Sequence, residues 1–334
     1  MKIPYFASAN IGDTPLISLS YLSQERGHSV HAKLECHNPT GSVKDRSAFN
    51  ILAKAIASGQ VTDKTTIIES SSGNMGIALA RLCKILNLRC IIVTDPHLNN
   101  QTEKLLTVYN AEIVKVIERD DNHGYLQNRL LKVRELLSSI SDSFWTDQYH
   151  NLQNPEAHEK TYHEIVRQLT RIPDYIFVAA STCGTLTGIG NAIVEYGNRT
   201  KLVAVDAVGS ILFGDHPQPR FIPGMGSSRK SSFLKMEQID QVVQINDIEA
   251  VHNCRKMIDT TGLLVGGSSG ALIAALELLK HEMDDNSTIV LLFPDHGERY
   301  LDTIYNDQWV QQLMKEEFKS ENNDLAEKAH PIQV

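Results

Sequence analysis

A chain of 334 residues, 42% hydrophobic and 22% charged, can bury a large core and has room for two domains of ordinary size. Its formal charge of -8, with basic residues scattered along the chain, argues against nucleic acid or another polyanion as a partner. No apolar run approaches a membrane span, the N-terminus lacks the apolar stretch of a secretion signal, and Cys36, Cys83, Cys90, Cys183 and Cys254 form no C-x-x-C pair; a cytosolic location with no membrane partner and no zinc cluster is expected.

In chain order, the first informative stretch is Asn38-Pro39-Thr40-Gly41-Ser42-Val43-Lys44-Asp45-Arg46. Apolar residues at Ala48, Ile51, Leu52, Ala55 and Ile56 follow at core-facing helical spacing, and Gly59 ends the pattern. Ser42 and Asp45 stand in capping-box relation, which predicts a helix from about Ser42 with Lys44 in its first turn. The positive end of the helix dipole disfavours an ammonium there and makes a free amine, suited to Schiff-base chemistry, more accessible.

Strand-like and helix-like segments then alternate. A first series runs through Thr66–Glu69, a helix at Ile77–Leu86, Cys90–Val93, a helix near Thr102–Tyr109, Glu112–Val116 and a helix at about Gly124–Leu137. A second runs through Tyr175–Ala179, Leu202–Val205, Gln241–Gln244, helices at Ile248–Ile258 and Gly270–Leu279, and Thr288–Phe293. The alternation predicts an α/β protein of two domains, each a mainly parallel twisted sheet flanked by helices, with a break around Gln148–Pro155. Residues 210–233, rich in Gly, Pro and Ser without a period, are expected to form a long loop bordering the active site. His158 and His163 are spaced H-E-x-x-x-H, which turns them off a common helix face, so no metal site is expected.

Three turns rich in Gly, Ser and Thr join an apolar strand to an apolar helix: Ser70–Asn74, Ser181–Gly188 and Gly266–Gly270. Such turns aim backbone N–H groups and hydroxyls at anions, and together they predict a ligand with both phosphate and carboxylate groups. No Walker motif is present, and Gly224-Met225-Gly226 follows no strand, which disfavours ATP and NAD. Gly266-Gly267-Ser268-Ser269-Gly270 also satisfies G-x-S-x-G, leaving open a hydrolase with Ser268 as nucleophile, although Asp295 and His296 are adjacent and suit a triad poorly.

The Asn38–Arg46 stretch, Ser71-Ser72-Gly73-Asn74 and the Gly266–Gly270 turn, in this order, resemble the β-family of pyridoxal-phosphate enzymes, the fold type II group of cysteine synthase and cystathionine β-synthase. The likeness runs from Gly12-Asp13-Thr14-Pro15-Leu16 to Gly297-Glu298-Arg299-Tyr300-Leu301. It implies pyridoxal 5'-phosphate as cofactor, a homodimer and amino-acid substrates. It also implies residues 1–38 as the N-terminal part of a large cofactor domain, 39–147 as a smaller mobile domain for the substrate carboxylate, 148–318 as the large domain and 319–334 as a polar tail. Lys44 would hold the cofactor as a Schiff base and act as base at the substrate Cα. Asn74 would bond the ring 3' oxygen. Ser71, Ser72, Gly73 and Gln148 would hold the substrate carboxylate. Ser181, Thr182, Cys183, Gly184 and Thr185 would cradle the phosphate, with Ser181 and Cys183 departing from the usual G-T-G-G-T. Ser268 would face the pyridine nitrogen, where a hydroxyl does not hold a proton on the ring and β-elimination is favoured over transamination.

Within that family, Glu69–Gly76, Val205–Asp215 and Pro294–Asp302 most resemble the siderophore-pathway members that join O-phospho-L-serine to L-glutamate, giving N-(2-amino-2-carboxyethyl)-L-glutamate, a step toward 2,3-diaminopropionate. There Arg129, Tyr149 and Ser181 match positions that handle substrate, and an arginine fork suits a phosphate or a second carboxylate. Met75 replaces the threonine common in cysteine synthases. A cysteine synthase using O-acetylserine or O-phosphoserine with sulfide remains an alternative, as does a non-catalytic binding homologue.

Overall fold

The computed structural model describes residues 2–23, 26–119, 124–197 and 199–316; the expected polar tail at 319–334 lies outside them. In chain order the elements are α1 Tyr5–Ser8, β1 Leu16–Ser18, β2 Ser29–Leu34, α2 Lys44–Ala57, β3 Thr66–Ser70, α3 Asn74–Leu86, β4 Cys90–Thr94, α4 Asn100–Val108, β5 Glu112–Lys115, α5 Leu126–Ser139 and β6 Ser143–Trp145. They continue with α6 Gln153–Leu169, β7 Tyr175–Ala179, α7 Gly184–Glu195, β8 Lys201–Ala207, β9 Gln241–Ile245, α8 Asp247–Thr261, α9 Gly267–Leu279 and β10 Thr288–Phe293.

Two sheets organise these elements, one in the order β5-β4-β3-β6 and one in the order β1-β2-β10-β7-β8-β9. All pairs are parallel except β1 with β2. Central strands such as β3, β4 and β10 are buried at every residue, as expected of parallel strands covered by helices on both faces. Ile51, Leu52, Ile67, Leu79 and Ile92 lie in one core; Phe177, Val203, Leu272, Leu291 and Phe293 lie in another.

The helix carrying Lys44 starts with Lys44 as its first helical residue, and the expected capping box is not formed. Ser42 Oγ accepts from the Lys44 amide at 3.3 Å. Asp45 instead turns back to Thr40, accepting from its N–H at 2.9 Å and its hydroxyl at 2.7 Å. A buried carboxylate with two donors on the preceding loop has no reason to reach for a helix-terminal amide. A reciprocal capping box does occur at α8, between Asn246 and Glu249. The N-terminal strands β1 and β2 and the short β6 complete the sheets without having stood out in the sequence.

Candidate active site

Two of the three Ser/Gly/Thr turns and the loop before Lys44 lie at the carboxyl ends of parallel strands, where ligands bind in open α/β sheets; the third, Gly266–Gly270, expected to follow a strand, instead joins α8 to α9. Ser70–Asn74 follows β3, Ser181–Gly184 follows β7, and Pro294–Gly297 follows β10. The loop before Lys44 is stitched to the last of these by backbone bonds. The Val43 amide donates to the Pro294 carbonyl at 2.8 Å and the His296 amide to the Gly41 carbonyl at 3.3 Å. Ser42 pairs with Asp295, and Val265 with His296, as isolated bridges.

The Lys44 side-chain amine makes no hydrogen bond or ion pair within the described residues. Burial pushes its pKa down, against the opposing pull of Asp295 and Cys183, so the free amine is more accessible than in water. Asp295 itself is 2% exposed. Its Oδ2 accepts from Asn74 Nδ2 at 2.8 Å and from the Tyr300 hydroxyl at 2.5 Å; its Oδ1 has no partner. That free oxygen faces Gly266, where an added Cβ would stand 1.9 Å away. Gly270, in the same turn, is required by a different neighbour, since its Cβ would meet the Ala250 carbonyl at 2.1 Å.

These contacts correct the hydrolase alternative. Gly266 is the N-cap of α9 with extended backbone, φ -74° and ψ 164°, and Ser268 is an ordinary second helical residue rather than the strained apex of a nucleophile elbow. Asp295 serves Asn74 and Tyr300 instead of a histidine. The Ser268 hydroxyl makes no hydrogen bond within the described residues.

The Ser70–Asn74 turn uses its hydroxyls differently. Ser71 Oγ accepts from the amides of Gly73 and Gly76 at 3.2 and 3.0 Å, satisfying the start of α3. In the Ser181–Thr185 turn, Cys183 adopts φ +66° before α7 begins at Gly184. The amides of Thr182 and Cys183 make no hydrogen bond among the described residues, a donor set suited to an anion. Behind it, His158 Nε2 lies 3.3 Å from Thr185 Oγ1 and 2.9 Å from Ser47 Oγ. Burial and the nearby Arg46 and Lys44 charges hold His158 neutral; His163 faces away, against the ring of Tyr196. The two histidines thus serve different faces of α6.

The 210–233 loop reaches this turn. Gly226 donates to the Ala180 carbonyl at 2.7 Å and accepts from Ser181 Oγ at 3.2 Å. Ser231 donates to the Thr182 carbonyl at 2.7 Å and Ser232 to the Tyr149 carbonyl at 2.5 Å. Arg229 stacks its guanidinium 5.3 Å from the Tyr149 ring centre.

Among the polar residues that hold this edge, sequence reasoning singled out Gln148, Arg129 and Tyr149 but passed over Glu69, Thr146 and Asp95. Glu69, fully buried, accepts from the Ser70 amide at 2.8 Å, the Thr146 hydroxyl at 2.5 Å and the Gln148 amide at 3.2 Å. Burial raises its pKa to about 7, outweighing those three donors. Gln148 Nε2 bonds the Ser70 carbonyl at 2.9 Å. Arg129 is buried and paired to Asp95 through Nη1 at 2.8 Å, while its Nε has no partner. Desolvation raises the Tyr149 pKa, and the Arg129 charge opposes it. Asp95 and Asp295 could have been suspected from one signal, a carboxylate just past a parallel strand.

Similarity to known proteins agrees with this arrangement. A profile described as pyridoxal-phosphate dependent enzyme matches residues 7–295. The chain is 28% identical to O-ureido-L-serine synthase, covering 90% of this chain and 95% of that one with a TM-score of 0.84. It is 31% identical to an O-acetylserine dependent cystathionine β-synthase from Helicobacter pylori, over 92% and 100% of the two chains, TM-score 0.83. It is 30% identical to O-acetyl serine sulfhydrylase isoform 3 from Entamoeba histolytica, over 94% and 96%, TM-score 0.83. The residues present suit such a cofactor: an uncommitted amine for an aldehyde, unpaired amides for a phosphate, and an orphaned carboxylate oxygen.

Proposed function

This chain belongs to the pyridoxal-phosphate-dependent enzyme family, and on that premise we propose that it replaces the phosphate of O-phospho-L-serine by the amine of L-glutamate, giving N-(2-amino-2-carboxyethyl)-L-glutamate. Pyridoxal phosphate, when bound, supplies an electron sink for the negative charge that develops at the substrate Cα. Lys44 supplies the amine that holds the cofactor and, once the substrate amine takes its place, removes the Cα proton and carries it on Nζ. The depressed pKa of Lys44 makes that amine more available than that of an exposed lysine. Thr182, Cys183, Gly184 and Thr185, with Ser181, hold the cofactor phosphate on the amides at the start of α7; Asn74 and Ser268 meet its ring.

Ser71, Ser72, Gly73 and Gln148 receive the substrate carboxylate. The Ser71 and Gln148 side chains are engaged in internal bonds, so Ser72 and the turn's backbone carry most of the contact, and Gln148 joins by leaving the Ser70 carbonyl. Closure of the segment 39–147, which carries this turn, onto the substrate carboxylate excludes water from the reacting Cβ. The family likeness supports a homodimer.

Arg129 is the observation that carries the choice of acceptor. A buried guanidinium, paired to Asp95 yet with an unpartnered Nε, beside Tyr149 suits the second carboxylate of a dicarboxylate amine, a group sulfide lacks, although the phosphate of O-phospho-L-serine would suit it equally. The similarity to a sulfhydrylase favours a second reading, cysteine synthesis with sulfide. The two separate when purified enzyme is given O-phospho-L-serine with glutamate or with sulfide and the products are weighed. The expected product is the glutamate adduct with release of phosphate; cysteine alone would establish the second reading.

A further inference from the structure

Arg129 could meet either anion of the proposed reaction, and a second guanidinium stands beside the same tyrosine. Arg229, on the 210–233 loop, lies 5.3 Å from the Tyr149 ring centre, and the charges of both arginines act on that phenol. Resting on the reading above, we propose that Arg229 is a specificity-determining residue whose guanidinium pairs with the distal carboxylate of the acceptor amine. It selects a dicarboxylic amino acid over the corresponding amide. No covalent bond changes: N–H groups of the fork meet carboxylate oxygens.

The guanidinium is aligned but not neutralised. Asp147, just past β6, lies 2.9 and 3.0 Å from His150 Nδ1 through its two oxygens. Arg229 Nη2 lies 3.0 Å from His150 Nε2. A guanidinium can only donate, so Nε2 is the acceptor and the ring proton sits on Nδ1, toward Asp147. Stacking on Tyr149 restrains the plane of the fork. Its Nε and Nη1 have no partner and no carboxylate pairs with it among the described residues, which leaves a preorganised cation for an arriving anion.

Its place in the fold fits the second substrate. The Arg229 amide donates to Ser227 Oγ at 3.1 Å, Ser231 bonds the Thr182 carbonyl, and Ser232 bonds the Tyr149 carbonyl. Arg229 is thereby tied between the Ser181–Thr185 turn and the Gln148–Tyr149 edge. The acceptor enters only after phosphate has left, so its carboxylate needs a cation that solvent can reach. Arg229 is half-buried, whereas Arg129 is 7% exposed and already paired to Asp95.

The test gives holoenzyme O-phospho-L-serine with L-glutamate or with L-glutamine, and weighs the products over a range of acceptor concentrations. Wild type should prefer glutamate in kcat/KM by about tenfold or more, the worth of one charge-assisted pair; equal use of the two overturns the proposal. Arg229→Ala should raise the KM for glutamate by a similar factor and erase the preference. A preference that survives the substitution, or a rise in the KM for O-phospho-L-serine instead, is an overturning result. Phosphate release without any acceptor reports the earlier step, and an equal loss there would make Arg229 structural. Should Arg229→Ala fail to fold, Arg229→Lys, which keeps the charge, should retain more of the preference than Arg229→Gln, and equal behaviour of the two overturns the assignment. Failure of the glutamate reading looks different. Adducts with L-aspartate but not glutamate, with discrimination against L-asparagine lost in Arg229→Ala, would discard glutamate and keep Arg229; cysteine from sulfide as the sole product overturns both.

Discussion

Lys44 and Arg46 are two cations two residues apart at the start of α2, and the protein treats them in opposite ways. Arg46 lies between two carboxylates, meeting Glu35 at 2.6 and 2.8 Å and Glu164 at 2.7 Å through both oxygens. Lys33, fully buried, closes the cluster against Glu164 at 2.8 Å. Lys44 has no such partner. Saturated hydrogen bonding marks a charge that holds the fold together, and a buried charge left unpaired marks one reserved for a ligand.

Removing each cation should therefore fail differently. Lys44→Ala is expected to lower turnover by about a thousandfold or more and to abolish borohydride-trapped cofactor, while the melting temperature of the apoprotein stays level or rises, because a desolvated amine has been removed. A large drop in melting temperature would make Lys44 structural and erase the contrast. Arg46→Ala should cost about 3–5 kcal/mol by denaturant titration, since it strands the buried Glu35 carboxylate and removes one of the two cations on Glu164; a loss below about 1 kcal/mol would show that the cluster relaxes.

Acid should separate the two classes of carboxylate. Although burial works against it, Arg46 and Lys33 hold the Glu164 pKa at about 2, and Glu35 is lowered by the same guanidinium. Both folded pKa values lie below the unfolded value, so the stabilisation is fully present above about pH 4.5 and is lost as pH falls, for Glu164 toward about 2. Glu69 has the opposite sign. With a folded pKa of about 7, the native state binds the extra proton, and stability should decline by up to roughly 3 kcal/mol as pH rises from about 4.5 to about 7, then level off. Denaturant titrations across pH should show Glu69→Gln flattening that decline; an unchanged slope would place the titration elsewhere. The smallest effect is expected at Ser71→Ala, about 1 kcal/mol from the lost amide caps at α3, checked by thermal unfolding.

How far the sequence was legible follows from the same physics. Continuous apolar strands such as Cys90–Thr94 and Thr288–Phe293 announce themselves because both faces are covered. β2 does not, because Lys33 and His31 interrupt it, and Lys33 is tolerated there through the Thr14 carbonyl and through Glu164 and Gln168, far along the chain. β1 and β6 span three residues each, too short to display a period. At the site, the Gly/Ser/Thr turns were visible as composition, whereas the division of labour among their hydroxyls was not. Ser71 looks no different from Ser268 in sequence; only the fold reveals that one caps its own helix and the other is left unbonded. Arg129 was recognisable from family likeness, but its Asp95 partner required the packing of α5 against the end of β4.

The position of β10 has a consequence for synthesis. It lies between β2 and β7 in the six-stranded sheet, so strands made early must wait for one made near the end. The segment bearing β3 to β6 is contiguous and can assemble while translation continues, but the loop that fixes Lys44 acquires its Pro294 and Asp295 contacts only when the last strand leaves the ribosome. A truncated nascent chain would carry the lysine without the loop that positions it, and a polypeptide stalled short of residue 290 would be unable to assemble the cofactor's seat.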